Sequence, residues 1–260
     1  MNDIVTEQAG SILRVQFNRP TKRNAMTSAM YAALAGIFNE AAKDDTRVVL
    51  WHGAGDSFCA GNDIEDFLKN PPGPGESPQA RLMEALVSFD KPIVVAVHGA
   101  AIGGGTTMLT HCDFIYAGES AKFQMPFINL ALVPEFGSSC SLPARIGLAR
   151  AAELLLLGAP FDGRRAAELG LVTEVVSDKD VLARATETAW KLAAKPAAAL
   201  QAGKRLMKQP FREQIKAAMK AENEEFSAQV RSEDAKEAFS AFLEKRKPDF
   251  TRTVKSSATA

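Results

Sequence analysis

Hydrophobic and polar positions alternate at two periods in the first half of the chain. Residues 3–7 and the stretch "SILRVQF" (11–17) alternate apolar and polar residues, as a half-buried hairpin would. Three later runs, "RVVLWHG", "KPIVVAVHGAAIGGG" and "DFIYAG", are nearly continuous in apolar residues, as in strands buried on both faces of a parallel or mixed sheet. Each of the three ends in glycine. Between the strands the spacing becomes helical. "TSAMYAALAGIFNEAAK" (27–43) begins at a Thr/Ser cap, residues 78–89 repeat the pattern, and "TTMLTHC" predicts a short helix. "FCAGNDIEDF" is a glycine-punctuated passage into another short helix. From about residue 148 onward the chain is rich in Ala, Leu, Glu and Lys at helical spacing, punctuated by Gly and Pro. The pattern predicts an α/β core over residues 1–195 and a helical region over 196–260. "KNPPGPGESP" (69–78) breaks the composition and reads as a loop with the mobility of a lid.

Charge narrows the classes of partner. Lys plus Arg and Asp plus Glu number 31 each, so the basic excess expected of a nucleic-acid or anionic-membrane partner is absent. No apolar run approaches the roughly 18 residues that span a bilayer. The N-terminal residues lack the basic-then-apolar order of a signal peptide, and "TVKSSATA" at the other end is polar. Cys59, Cys112 and Cys140 are widely spaced and odd in number, which reads as reduced thiols; with His52, His98 and His111 they form no metal-ligand spacing. The expectation is a soluble cytoplasmic protein without a metal site.

Three features carry candidate chemistry. "AAIGGGTTML" and "FCAGNDI" are glycine-rich strand-to-helix passages. Each fits tight packing, and each also fits a backbone N–H offered to developing negative charge. Two such loops could make an oxyanion hole together. They lack the spacing of a dinucleotide fingerprint, and no phosphate-loop lysine is present. The third feature is "LALVPEFGSSCSLP" (130–143), where Glu135 is the only charge in a stretch of apolar and small residues. A carboxylate before a helix can serve as a cap, and a carboxylate in an apolar setting can serve as a base.

Four stretches in order, "NRPTKRNAM", "FCAGNDIEDF", "KPIVVAVHGAAIGGG" with "CDFIYAGESAKFQMPFINLALVPEFGSS", and "AFLEKRKPDF", resemble the crotonase superfamily, the enoyl-CoA hydratase/isomerase family. The resemblance covers nearly the whole chain. It implies a core spiral of ββα turns with a C-terminal helical trimerisation region, and hence a homotrimer or a dimer of trimers. It also implies an acyl-CoA thioester as substrate, with coenzyme A belonging to the substrate and no separate cofactor. Carried over residue by residue, the two N–H groups that hold the thioester oxygen fall on Asn62 and Gly104. Contacts to coenzyme A fall on Lys22, Arg23, Ala60, Asp63, Ile64, Phe242 and Lys245; the acyl pocket falls on Phe67, Leu68, Phe127 and Leu132. Asp63 also reads as a helix cap.

The family's hydratases use two glutamates, and those slots hold Thr107 and Phe127 here. Neither side chain can act as a base near neutral pH. "LVPEFGSS" is similar to the glutamate loop of peroxisomal-type and bacterial 3-enoyl-CoA to 2-enoyl-CoA isomerases, which implies that Glu135 is a single proton-shuttling base. The alternatives are a hydratase with non-standard acid and base residues, and a weakly catalytic acyl-CoA-binding protein.

Overall fold

The computed structural model describes residues 2–70 and 77–251; the centre of the "KNPPGPGESP" loop and the polar C-terminal end lie outside the described residues. β1 (Ile4–Ala9) and β2 (Ile12–Phe17) form the expected antiparallel hairpin, with Ile4 opposite Phe17. α1 (Ser28–Ala41) starts where Thr27 accepts the Met30 N–H, satisfying one of the donors every helix leaves free at its start. β3 (Val48–Gly53) then adds parallel to β2. α2 (Ile64–Lys69) is capped by Asp63, and α3 (Pro78–Ser88) by Ser77.

Next come β4 (Ile93–Val97), β5 (Ala100–Ile102), the single turn α4 (Gly104–Thr107) and β6 (Phe114–Gly118). The sequence pattern predicts one strand through "KPIVVAVHGAAIGGG"; two strands form there, in different sheets. Gly99 is the corner. Its φ is +57°, and a Cβ there would collide with the Asp56 carbonyl oxygen, so only glycine fits the bend. Further on lie β7 (Lys122–Gln124), α5 (Ser138–Ile146), α6 (Leu148–Leu157), β8 (Phe161–Asp162), α7 (Gly163–Glu168), β9 (Glu174–Val176) and α8 (Val181–Ala193). β8 and β9 are strands within a stretch expected to be helical. They form because neighbours are waiting: β8 pairs with β7 and β9 with β6. α9 (Ala197–Gln229) and α10 (Glu233–Leu243) complete the helical region, which starts directly after Pro196.

The larger sheet has the order β1-β2-β3-β4-β6-β9, parallel throughout except for the first hairpin; the smaller one is β5-β7-β8. Strand alternation divides the core. Val49, Trp51, Ile93 and Val95 face a large cluster shared with Phe38 of α1 and Leu82 and Leu86 of α3. Val48, Leu50, Val94 and Ala96 face the other way, onto Val181, Ala185 and Ala189 of α8. Burial on both faces is the reason these strands read as unbroken apolar runs.

The helical region is tied to the core by buried cations. Lys204 of α9 is nearly inaccessible; it pairs with Asp113 at 2.7 Å and donates to the Lys91 carbonyl at 2.6 Å. The described part of α9 also places Met219 and Phe226 in the main core. Leu148, Leu156 and Leu157 of α6 and Leu206, Met207 and Phe211 of α9 are exposed on the single chain. No helix among the described residues is long and apolar enough to cross a membrane.

Candidate active site

The two glycine loops meet. The Cys59 N–H donates to the Ala100 carbonyl, and the Ile102 N–H returns a bond to the Cys59 carbonyl, both at 2.9 Å. Gly61, with φ +88°, lies so close to the Ile102 carbonyl that a Cβ would sit 2.9 Å from its oxygen. The sequence places glycines where the two backbones must approach. Asn62 follows Gly61, and Gly104 opens α4. Among the described residues neither the Asn62 nor the Gly104 N–H has a protein acceptor. Asn62 is oriented through its side chain, whose Oδ1 accepts from the Tyr31 hydroxyl at 2.7 Å.

Both residues line a cavity of about 120 Å³ whose walls include Ala60, Ile64, Phe67, Phe127, Leu132 and Glu135. Phe226 of α9 and Phe239 and Phe242 of α10 close it from the helical region. Glu135 is the only ionisable side chain among the described residues lining it. It is buried, and no donor among the described residues reaches its Oε1. A Cβ built on Gly104 would lie 3.1 Å from that oxygen and 3.0 Å from the Tyr31 hydroxyl, so base, tyrosine and glycine backbone share one corner. Burial, with the negative charge of Glu222 adding to it, pushes the Glu135 carboxyl up to about 8. Burial first, then the Glu135 charge, raises Tyr31 well above the usual phenol range, so it stays a hydroxyl donor.

The capping role open to Glu135 in the sequence belongs to another residue. Gly137, not Glu135, is the N-cap of α5, and it supplies no side chain. The free N–H groups of Gly137 and Ser139 instead donate to the two oxygens of Glu222, at 2.7 and 2.8 Å. Between Glu135 and α5 the chain makes two left-handed steps, Phe136 at φ +61° and Gly137 at φ +67°. For a phenylalanine this is an uncommon, strained conformation.

The structure brings most of the sequence-derived residues together and separates a few. Leu68 turns outward on α2 and is 46% exposed, one helical step from the cavity-lining Phe67, so it does not line this cavity as the sequence reading expected. Asp63 caps α2 and pairs with Arg19 at 2.7 Å, which holds its carboxyl below the usual range despite burial. Its carboxylate is thus spent on the fold. Lys22 and Arg23 are exposed in the turn ahead of α1; Lys22 approaches Glu65 at 3.9 Å. Lys245 is exposed just past α10. Thr107 is fully buried and donates back to the Gly103 carbonyl at 3.3 Å. Tyr31, Glu222, Phe226 and Phe239 gave no distinctive sequence signal: each sits at ordinary helical spacing.

An α/β scaffold in which two glycine loops and a buried carboxylate share one apolar cavity defines a class of enzyme core. The sequence profile of the enoyl-CoA hydratase/isomerase family matches residues 7–253. The 1,2-epoxyphenylacetyl-CoA isomerase of Escherichia coli K12 is 34% identical over 96% of this chain and 99% of its own. A probable enoyl-CoA hydratase of Bacillus subtilis 168 is 36% identical over 87% of this chain and 90% of its own. The crystal structure of an enoyl-CoA hydratase/isomerase from Pseudoalteromonas atlantica T6c superposes with a TM-score of 0.91 at 39% identity, covering 96% of this chain and all of that one. The chain belongs to the enoyl-CoA hydratase/isomerase family, with the crotonase fold, and is an enzyme of that family, whose members act on acyl-CoA thioesters.

Proposed function

We propose that this enzyme moves the double bond of a 3-enoyl-CoA thioester to the 2-position, with Glu135 as its only acid-base group. The observation that carries the reading is the single ionisable side chain that the described residues place on the cavity wall. Adding water across a double bond needs one group to activate water and a second to manage the C2 proton, whereas a double-bond shift needs one group used twice. The two slots that would supply the hydratase pair hold Thr107, spent on a backbone carbonyl, and the apolar Phe127.

In this mechanism the thioester oxygen accepts from the Asn62 and Gly104 N–H groups. Glu135 takes a proton from C2, and the electron pair moves into a dienolate held on that oxygen. The protonated Glu135 then returns the proton to C4 while the C2–C3 double bond forms, leaving enzyme and atom count unchanged. Apolar walls serve the chemistry by raising the carboxylate's basicity and by keeping out water that could add to the product. Phe242, half exposed on α10 and lining the same cavity, supports a role in this reading as a contact for the coenzyme A end of the substrate. The reading keeps a homotrimer or a dimer of trimers as the assembly, with the exposed apolar residues of α6 and α9 as the surfaces another copy would cover.

The test is wild type against Glu135→Gln with a 3-enoyl-CoA, following formation of the conjugated thioester by absorbance. Loss of at least about a hundredfold in kcat is expected, with affinity for a saturated acyl-CoA kept. Full activity in the variant overturns the role of Glu135. Hydration of a 2-enoyl-CoA faster than isomerisation overturns the reaction, and binding without either turnover overturns both.

A further inference from the structure

Glu222 is a buried carboxylate that the mechanism above does not use. It lies on α9, more than 80 residues beyond the turn that carries Glu135, yet both its oxygens accept backbone N–H groups from that turn, Gly137 at 2.7 Å and Ser139 at 2.8 Å. Neighbouring contacts clamp the same few residues. His111 donates from Nε2 to the Phe136 carbonyl at 2.6 Å. Ile215 and Met219 of α9 press so closely on Gly137 that a Cβ there would sit 2.7 Å from Ile215. A strained Phe136 persists only where its surroundings over-determine it, and these contacts supply that constraint.

We propose that Glu222 is a positioning residue for Glu135: its two hydrogen bonds fix the left-handed Phe136–Gly137 turn and occupy the helix donors, leaving the Glu135 carboxylate aimed at the cavity and free of them. The inference rests on Glu135 being the base of the proposed reaction. Its chemistry is simple. A carboxylate that accepts backbone N–H groups becomes a weak base, so a catalytic carboxylate beside an open helix start needs another anion to take those donors.

The groups facing Glu135 leave Glu222 as the charged one. From α1 comes Tyr31, a neutral phenol; from the loop before Gly61 comes Cys59, whose thiol burial pushes up to about 12. His111, behind Phe136, is pushed down to about 4 by burial and stays neutral. On α5, Cys140 is raised by burial and by Glu222. Among the described residues Glu222 is the charge that acts on Glu135, and it acts to keep the base strong.

The experiment compares wild type with the near-isosteric Glu222→Gln, which keeps one acceptor but loses the charge, and with Glu222→Asp, which keeps the charge but shortens the reach. Rates with a 3-enoyl-CoA are taken across pH, and Glu135 is titrated directly by NMR of ¹³C-glutamate protein, its signal assigned with Glu135→Gln. In Glu222→Gln the removed charge and the freed donor both favour the ionised form. Glu135 should therefore titrate at least about one pH unit lower, and the rising limb of kcat/KM should move the same way. Plateau kcat should fall about tenfold or more with acyl-CoA affinity kept. Glu222→Asp should lose kcat with a smaller movement of the limb.

An unmoved Glu135 titration overturns the inference. So does a loss of kcat that only parallels a lower melting temperature and weaker acyl-CoA binding. A wild type that does not isomerise overturns the reaction proposed above, while the NMR titration still decides the role of Glu222.

Discussion

Removing the charge from Glu135 should make the protein more stable, by an amount that grows with pH. A glutamate ordinarily titrates near 4.5, and burial with the Glu222 charge pushes Glu135 up to about 8 in the fold. Between those values the unfolded chain releases a proton that the folded chain keeps, so the unfolded state binds fewer protons and stability falls as pH rises. Below 4.5 both states are protonated and there is no penalty; above about 8 both are ionised and the penalty is constant. At ~1.4 kcal/mol per pKa unit, the full window costs on the order of 5 kcal/mol. Glu135→Gln keeps the shape and a neutral polar head and removes the penalty. Urea unfolding of both proteins, at one protein concentration, should show the variant ahead by about 1 kcal/mol near pH 5.5 and by several kcal/mol near pH 8.5. A stability difference that stays flat across that range refutes the reasoning, because the carboxyl would then titrate alike in both states. So does a variant less stable than wild type near pH 8.5.

Two further outcomes follow from the same cavity. Gly104→Ala keeps a permitted backbone but sets a methyl 3.0 Å from the Tyr31 hydroxyl, 3.1 Å from Glu135 Oε1 and 3.3 Å from Met26 Cε. Steady-state kinetics should show kcat down at least about tenfold through displacement of the base, with a stability loss of about 1–3 kcal/mol from overpacking; unchanged kcat would show that base and glycine do not share a corner. Phe242→Ala removes a half-exposed apolar residue of the cavity wall that carries no acid-base group, so titration calorimetry with a saturated acyl-CoA should find weaker binding by about 1 kcal/mol, with kcat kept.

The fold was legible where burial itself follows a period. β3, β4 and β6 are buried on both faces, and their apolar runs announce it. The corner at Gly99 was not legible, because one histidine and one glycine are too short a break in "VHGAAIGGG" to mark a change of sheet; what requires glycine there is the Asp56 carbonyl, which occupies the space a side chain would need. β9 was hidden for a different reason. Three residues of "TEVV" are too few to show a period, and their pairing is decided by β6, more than 50 residues earlier. Leu68 shows how a neighbour can mislead: it follows Phe67 in sequence, but one helical step carries it about 100° around α2 and out of the cavity.

Glu135 and Glu222 make the sharpest contrast in what sequence can reveal about a site. Glu135 stands alone in an apolar stretch, where desolvation makes a charge costly and so conspicuous. Glu222 is equally buried, but it sits in "KAENEEFSAQ" among acids that face solvent, and helical spacing alone does not separate one from the other. The difference lies in what each charge is for. The base must have no donor near it, which strips its local sequence of polar company. The residue that takes those donors can stand on any helix that reaches α5, so its role is written in the packing of α9 against the Gly137 turn, and substitution at Gly137 should disturb both carboxylates together.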